Sequence, residues 1–338
     1  MDVTDVTRPE TFALSSGQHD LIFYAMVVAG LALFAQFVRT WNSTSEIGAR
    51  YRPAVLASLC ITGVAFLAYV YLVVKFDQGY VYQAGQYLPT PEALNTLVPR
   101  YMDWSVTVPL LMVEFLAVSA YAGARARSIR FVLMASAFLM IFTGFLGAAV
   151  IGAGADQGAL LVWGIISTVF YVVLYVLLFK VLSSSKSSMS PEAHATYRNA
   201  AILLLSVWGW YPIAYAIHNW FPGSAWTTTI QVGYCAADIA AKVAFGSMIH
   251  KVAKLRTAED VVSGQETHPE EIWISSVKKS EGVQPLIKGM ASREGLESIS
   301  VDHSPVDGSH AARSAGTTAE HHDARVAGRT TDTEPRHQ

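Results

Sequence analysis

Seven long apolar runs constrain this chain more than any other feature. They fall at roughly 20–39, 54–75, 101–121, 129–151, 158–182, 199–219 and 226–252. Each spans about 20 to 27 residues, long enough to cross a bilayer as a helix. Each is apolar all round rather than striped, which suits lipid on one side and a bundle on the other. Only 15% of the 338 residues are charged, against about a quarter in soluble proteins. The predicted fold is an all-α, seven-transmembrane-helix bundle, multi-pass in the cell membrane. Residues 1–20 carry Asp2, Asp5, Glu10 and Asp20 with no basic segment leading into a short apolar core. No cleavable leader is expected, so the first span must start insertion itself.

Orientation follows from Lys/Arg bias. One set of connections holds Arg39, Arg50, Arg52, Arg125, Arg127, Arg130, Lys180, Lys186, Arg198, Lys251, Lys254 and Arg256. The other holds little beyond Arg8 and Lys75. The first set is predicted to be cytoplasmic, with the N-terminus outside and the C-terminus inside, which requires an odd number of spans. Three regions follow: an extracellular segment 1–19, a membrane domain 20–255, and a cytoplasmic tail 256–338. The tail is rich in Ser, Thr, Gly, Asp, Glu and His without apolar period, and is expected to be disordered. Its histidines, among them His310, His321, His322 and His337, are too scattered to predict a metal site. The connection 76–97 alternates aromatic and polar residues around Ala84-Gly85, as a short hairpin does, though an irregular loop also fits. A net charge of −2 without a basic cluster points to no nucleic-acid partner. Cys60 and Cys235 lie inside apolar runs and read as buried inert thiols rather than metal ligands or a disulfide.

Lys242 stands alone in the middle of the seventh run, with Asp238 one turn before it. A charged lysine near a bilayer centre costs at least about 2.5 kcal/mol. Two readings account for it: a structural ion pair, or an amine consumed as a Schiff base with an aldehyde, which desolvation favours. The third run adds Arg100, Asp103, Thr107 and Glu114. Asp103 and Thr107 share a helical face. Glu114 follows Asp103 by eleven positions, about 16 Å along the axis on nearly the same face. Two carboxyls on one stripe suit a proton relay; a purely hydrogen-bonded structural pair is the alternative. A cation on Lys242 and Arg100 would balance Asp103 and Asp238, as a low-dielectric site requires. Glu114 has no evident partner in the sequence, and desolvation should keep it protonated. In the sixth run Trp208, Tyr211, Pro212 and Tyr215 fall at i, i+3, i+4 and i+7. They make one face of rings plus a kink-forming proline. Such a face suits a long polyene, and by itself suits ordinary packing as well.

Taken together, RYMDW with Thr107 and Pro109, WxxYP at 208–212 and DxxxK at 238–242 resemble the matching segments of microbial (type I) rhodopsins. The likeness covers about residues 20–255 and is strongest to the proteorhodopsin- and xanthorhodopsin-like proton pumps. It implies all-trans retinal as a Schiff base on Lys242, with Asp103 as proton acceptor and counterion. Asp238 is then the second counterion and Glu114 the cytoplasmic proton donor. Trp104 and Leu111 would line the polyene, and a leucine at this position goes with green rather than blue absorption. Tyr69 and Tyr211 resemble the tyrosines that hydrogen-bond near the counterions. The Asp–Thr–Glu set at 103, 107 and 114 resembles outward proton pumps. Chloride pumps of the family lack the first acid, and sodium pumps carry Asn–Asp–Gln. The resemblance further implies a homo-oligomer whose other partners are membrane lipids and protons, with no enzymatic activity. The runner-up function is a photosensor signalling through a partner or the tail.

The chain also departs from these relatives. Ala68 stands where many of the family carry a histidine that pairs with the acceptor aspartate. The connection NWFPGSAWTT lacks the glutamates that release protons in bacteriorhodopsin. WGIIST, at Trp163–Thr168, resembles the fifth-span segment of xanthorhodopsin-like pumps. There Gly164 would leave a window for a carotenoid antenna, or merely allow close helix packing.

Overall fold

A computed structural model describes residues 12–154 and 156–282. Its seven spans are α1 (Ser16–Asn42), α2 (Arg52–Gln78), α3 (Leu97–Ala117), α4 (Gly123–Phe145), α5 (Gln157–Ser185), the broken pair α6 (Pro191–Trp208) and α7 (Trp210–Trp220), and the pair α8 (Ser224–Asp238) and α9 (Phe245–Val262). A π turn, Ile239–Ala244, joins α8 to α9. Six spans are long and apolar enough to cross a membrane. The remaining one, α3, carries Arg100, Asp103 and Glu114 along its length.

Local chemistry sets the ends. Ser15 and Gln18 form a reciprocal capping box at α1. Asp156 caps α5, and Ser190 with Pro191 opens α6. The sixth span breaks at Gly209 because Pro212 has no N–H to offer the Trp208 carbonyl and crowds it. The spans pack in chain order and the last closes against the first, so the bundle is a ring. On α5 the exposed side chains Leu161, Ile165, Val169, Val172, Val176 and Phe179 recur at helical spacing. That stripe faces away from the bundle.

The 76–97 connection is indeed a hairpin. Strands β2 (Tyr80–Gln83) and β3 (Gln86–Pro89) pair antiparallel, and β1 (Leu14–Ser15) adds to β3. Ala84 and Gly85 both have positive φ, +50° and +86°, the backbone of a two-residue turn matched to strand twist. Against β3, the buried His19 ring stacks on Tyr87 at 3.7 Å.

Three expectations need correction. Helix α1 starts at Ser16, inside the segment read as 1–19. The tail is ordered well past 256: α9 runs to Val262, and β4 (Ile272–Ile274) pairs with β5 (Val277–Ser280). Ile272 and Ile274 are buried on one face of that hairpin. Glu266 accepts the Ala49 N–H at 2.7 Å, His268 Nε2 lies 2.9 Å from the Ser45 carbonyl oxygen, and Lys279 pairs with Glu192 at 2.8 Å. Two isoleucines two residues apart leave no mark on bulk composition, yet they suffice when a helix end offers them a surface. The rest of that region, 283–338, lies outside the described residues. Finally, Cys60 is exposed, whereas Cys235 is buried as expected.

Candidate functional site

Lys242 sits on the π turn of the seventh span, 2% exposed at its side chain. Such turns shift side-chain register and recur at functional sites. Its Nζ donates to Asp103 Oδ2 across from α3 and lies 3.4 Å from Asp238 Oδ1. Asp238 is held from four sides. Tyr69 and Tyr211 donate hydroxyl bonds at 2.8 and 2.9 Å, Trp104 Nε1 donates at 3.3 Å, and Arg100 Nη1 is 3.8 Å away. Two buried cations thus meet two buried carboxylates, and the group is neutral. The partition is uneven. Both oxygens of Asp238 accept hydrogen bonds, whereas Asp103 Oδ1 accepts none among the described residues. Thr107, fully buried, spends its hydroxyl on the Asp103 backbone carbonyl at 2.9 Å.

Arg100 is fixed by residues that sequence reasoning missed. Its Nη2 donates to Gln231 Oε1 at 2.9 Å and lies 3.9 Å from Cys235 Sγ, and its guanidinium covers the Tyr234 ring at 5.0 Å. Gln231 and Tyr234 precede Asp238 by seven and four positions, on the same α8 face. That spacing was the available signal.

A cavity of about 500 Å³ runs from Lys242 between α3, α4, α5 and the sixth span, within the usual size range for a small-molecule site. Trp104, Leu111, Trp208, Tyr211, Pro212, Tyr215 and Gly164 all line it. Tyr69 and Asp103 stand at its Lys242 end without lining it. Its walls are mostly rings and aliphatic side chains, with one amine at the end. Gly164 lines it and Gly147 packs against the cavity residue Tyr215: a Cβ would come within 3.0 Å of Tyr215 Cε1 and 2.8 Å of its hydroxyl, respectively.

Glu114 is elsewhere, 1% exposed and apart from the charged group. Ser58 hydrogen-bonds its carboxyl, while Oε2 has no partner among the described residues.

Comparison with known proteins agrees with this geometry. The family described as bacteriorhodopsin-like protein matches residues 17–255. The chain belongs to the bacteriorhodopsin-like family. Cruxrhodopsin-3 of Haloarcula vallismortis is 30% identical over 224 residues, covering 65% of this chain and 83% of that protein. The crystal structure of thermophilic rhodopsin superposes with a TM-score of 0.68 at 29% identity, covering 73% of this chain and 98% of that one. Xanthorhodopsin, a light-driven ion pump with dual chromophore, superposes at 0.66 with 31% identity, covering 74% and 98%. This rhodopsin is therefore a multi-pass, retinal-type membrane protein and not an enzyme. The cavity fits the group that the family implies: an apolar, ring-walled space ending on a buried amine that is already paired with carboxylates.

Proposed function

We propose that this rhodopsin is a light-driven outward proton pump. One observation carries the reading. Two buried carboxyls share α3, one touching the Lys242 nitrogen and one isolated eleven residues further on, about 16 Å along the axis. Retinal bound to Lys242 would supply light absorption and a change of shape that alters which groups the nitrogen faces. The chain does the rest. Asp103, with a free acceptor oxygen, takes the proton from the Lys242 nitrogen. Asp238 stays ionised under its three donors and Arg100, which keeps the site paired when Asp103 is neutralised. Glu114, buried apart from the charged group, holds a proton and returns it to the nitrogen from the opposite side. Lys/Arg bias puts the Glu114 end in the cytoplasm, so net movement is outward.

Illumination of expressing cells in weakly buffered medium should lower external pH, and a protonophore or Lys242→Ala should abolish the change. A light-induced rise would reverse the roles of the two acids. A visible pigment with no pH change would favour the photosensor.

Gly164 supports a subsidiary proposal, a carotenoid window. It borders the cavity beside the exposed Leu161 and Ile165 of α5, and xanthorhodopsin carries two chromophores. Added carotenoid should sensitise the wild-type photocycle and fail to sensitise Gly164→Trp. Equal action spectra would reduce Gly164 to a packing residue.

A further inference from the structure

Beyond Glu114, toward the α1–α2 turn, lies a second group of polar side chains that the pump reading leaves unused. A Cβ on Gly246 would sit 3.0 Å from Ser58 Oγ, 3.3 Å from Glu114 Oε1 and 3.8 Å from Gln36 Nε2. The missing side chain leaves room for Ser58 and Glu114 to approach the α9 backbone, with Gln36 close by. Gln36 Oε1 then accepts from Ser247 at 3.2 Å and from Arg39 at 3.3 Å, and Arg39 donates to Ser247 at 2.7 Å. One turn further along α9 comes His250, 7% exposed. Residues 246, 247 and 250 share a helix face. His250 Nε2 has no hydrogen-bond partner within 3.5 Å among the described residues and lies 3.6 Å from Glu46 Oε2, whose side chain is 41% exposed. A buried imidazole beside a surface carboxylate thus lies one turn of α9 from Gly246, the residue that borders Glu114.

We propose that His250, loaded from Glu46, is the entry residue through which a proton from the medium refills Glu114. The inference rests on the reading of Glu114 as donor. The step is a proton hop with no redox change. The Glu46 carboxylate takes a proton from the medium only transiently, and its O–H breaks as an N–H forms at His250 Nε2. The proton then crosses the polar cluster of Gln36, Arg39 and Ser247 to a Glu114 carboxylate that has lost its own proton. Imidazole suits this because it both accepts and donates near neutral pH. The charged groups facing His250 are Arg39 from α1, Glu46 from the turn after α1, and Lys254 from its own helix. Burial pushes the Glu46 carboxyl up, but the Lys254 hydrogen bond and charge, with His250, outweigh it and hold Glu46 below its ordinary value. Glu46 therefore presents a standing negative charge at the surface, which concentrates protons there.

The test uses the full-length pigment, with flash photolysis and a pH-indicator dye read together. His250→Gln should slow dye-detected uptake by at least about tenfold and leave the earlier, internal return of the proton to the Lys242 nitrogen unchanged. Glu46→Gln should slow uptake in the same direction by less. Between about pH 6 and 8, wild-type uptake should vary little, and in His250→Gln it should follow proton concentration. In the retinal-free protein, the ring ¹⁵N shifts of His250 should titrate at a different pH in Glu46→Gln. Unchanged uptake in either variant, or a His250 titration indifferent to Glu46, overturns the proposal. Glu46→Gln changes a half-exposed side chain, so it decides the matter if His250→Gln fails to form pigment. Glu114→Gln that leaves the internal step unchanged would instead remove the donor reading itself.

Discussion

Replacing Glu114 by Gln removes one proton and almost nothing else. The side chain is 1% exposed, keeps its shape, and retains an oxygen for Ser58. Without that proton, the Lys242 nitrogen must wait for one from water. Encounters limited by diffusion at about 10⁹–10¹⁰ M⁻¹s⁻¹, with protons at about 10⁻⁷ M, supply at most about 10²–10³ events per second at a fully open site. This site is closed: Lys242 is 2% exposed. A positioned acid is worth about 10²–10⁴-fold, so reprotonation in Glu114→Gln should slow by at least about a hundredfold. The rate law should change too. Wild type draws on an internal acid and should be nearly independent of pH, whereas the variant should follow proton concentration. Azide, a small weak acid that can carry protons inward, should restore part of the rate. Flash photolysis at several pH values measures all three. An unchanged, pH-independent rate in Glu114→Gln would refute the reasoning, whatever its effect on net pumping.

Other outcomes follow from the same geometry. Asp103→Asn leaves the Lys242 nitrogen only Asp238, already shared with Arg100 and three neutral donors; the pigment should shift to the red and light-driven acidification should stop, and retained pumping would exclude Asp103 as acceptor. Leu111→Gln puts a dipole into an apolar stretch of the cavity wall and should move a green absorption band to shorter wavelength; a wild-type band already in the blue would contradict this. Ile272→Ala should loosen the β4–β5 hairpin by about 2–5 kcal/mol, opening 263–282 to protease while leaving the visible band intact; equal protease resistance would mean the hairpin is held by its ion pairs instead.

The seven spans were legible in the sequence because apolar length is a local property that the bilayer reads directly. So were Lys242, Asp103, Asp238 and Glu114, since ionisable groups inside apolar runs are costly enough to need partners. The 80–89 hairpin was legible from its two-residue turn. The sequence could not say which cation serves which acid. Arg100 pairs with Asp238, 138 positions away, and not with Asp103 on its own helix. Gln231 and Cys235 looked like ordinary members of a helix until Arg100 reached them. The Gln36, Ser247 and His250 group joins the first span to the last, more than 200 residues on. The ordered tail hairpin depends on a helix end and a turn that its own composition does not mention. Periodicity fixes which face of each helix is polar; only packing sets how far each helix rotates and slides. Over side chains a few ångströms long, that rotation decides whether a buried charge finds its partner.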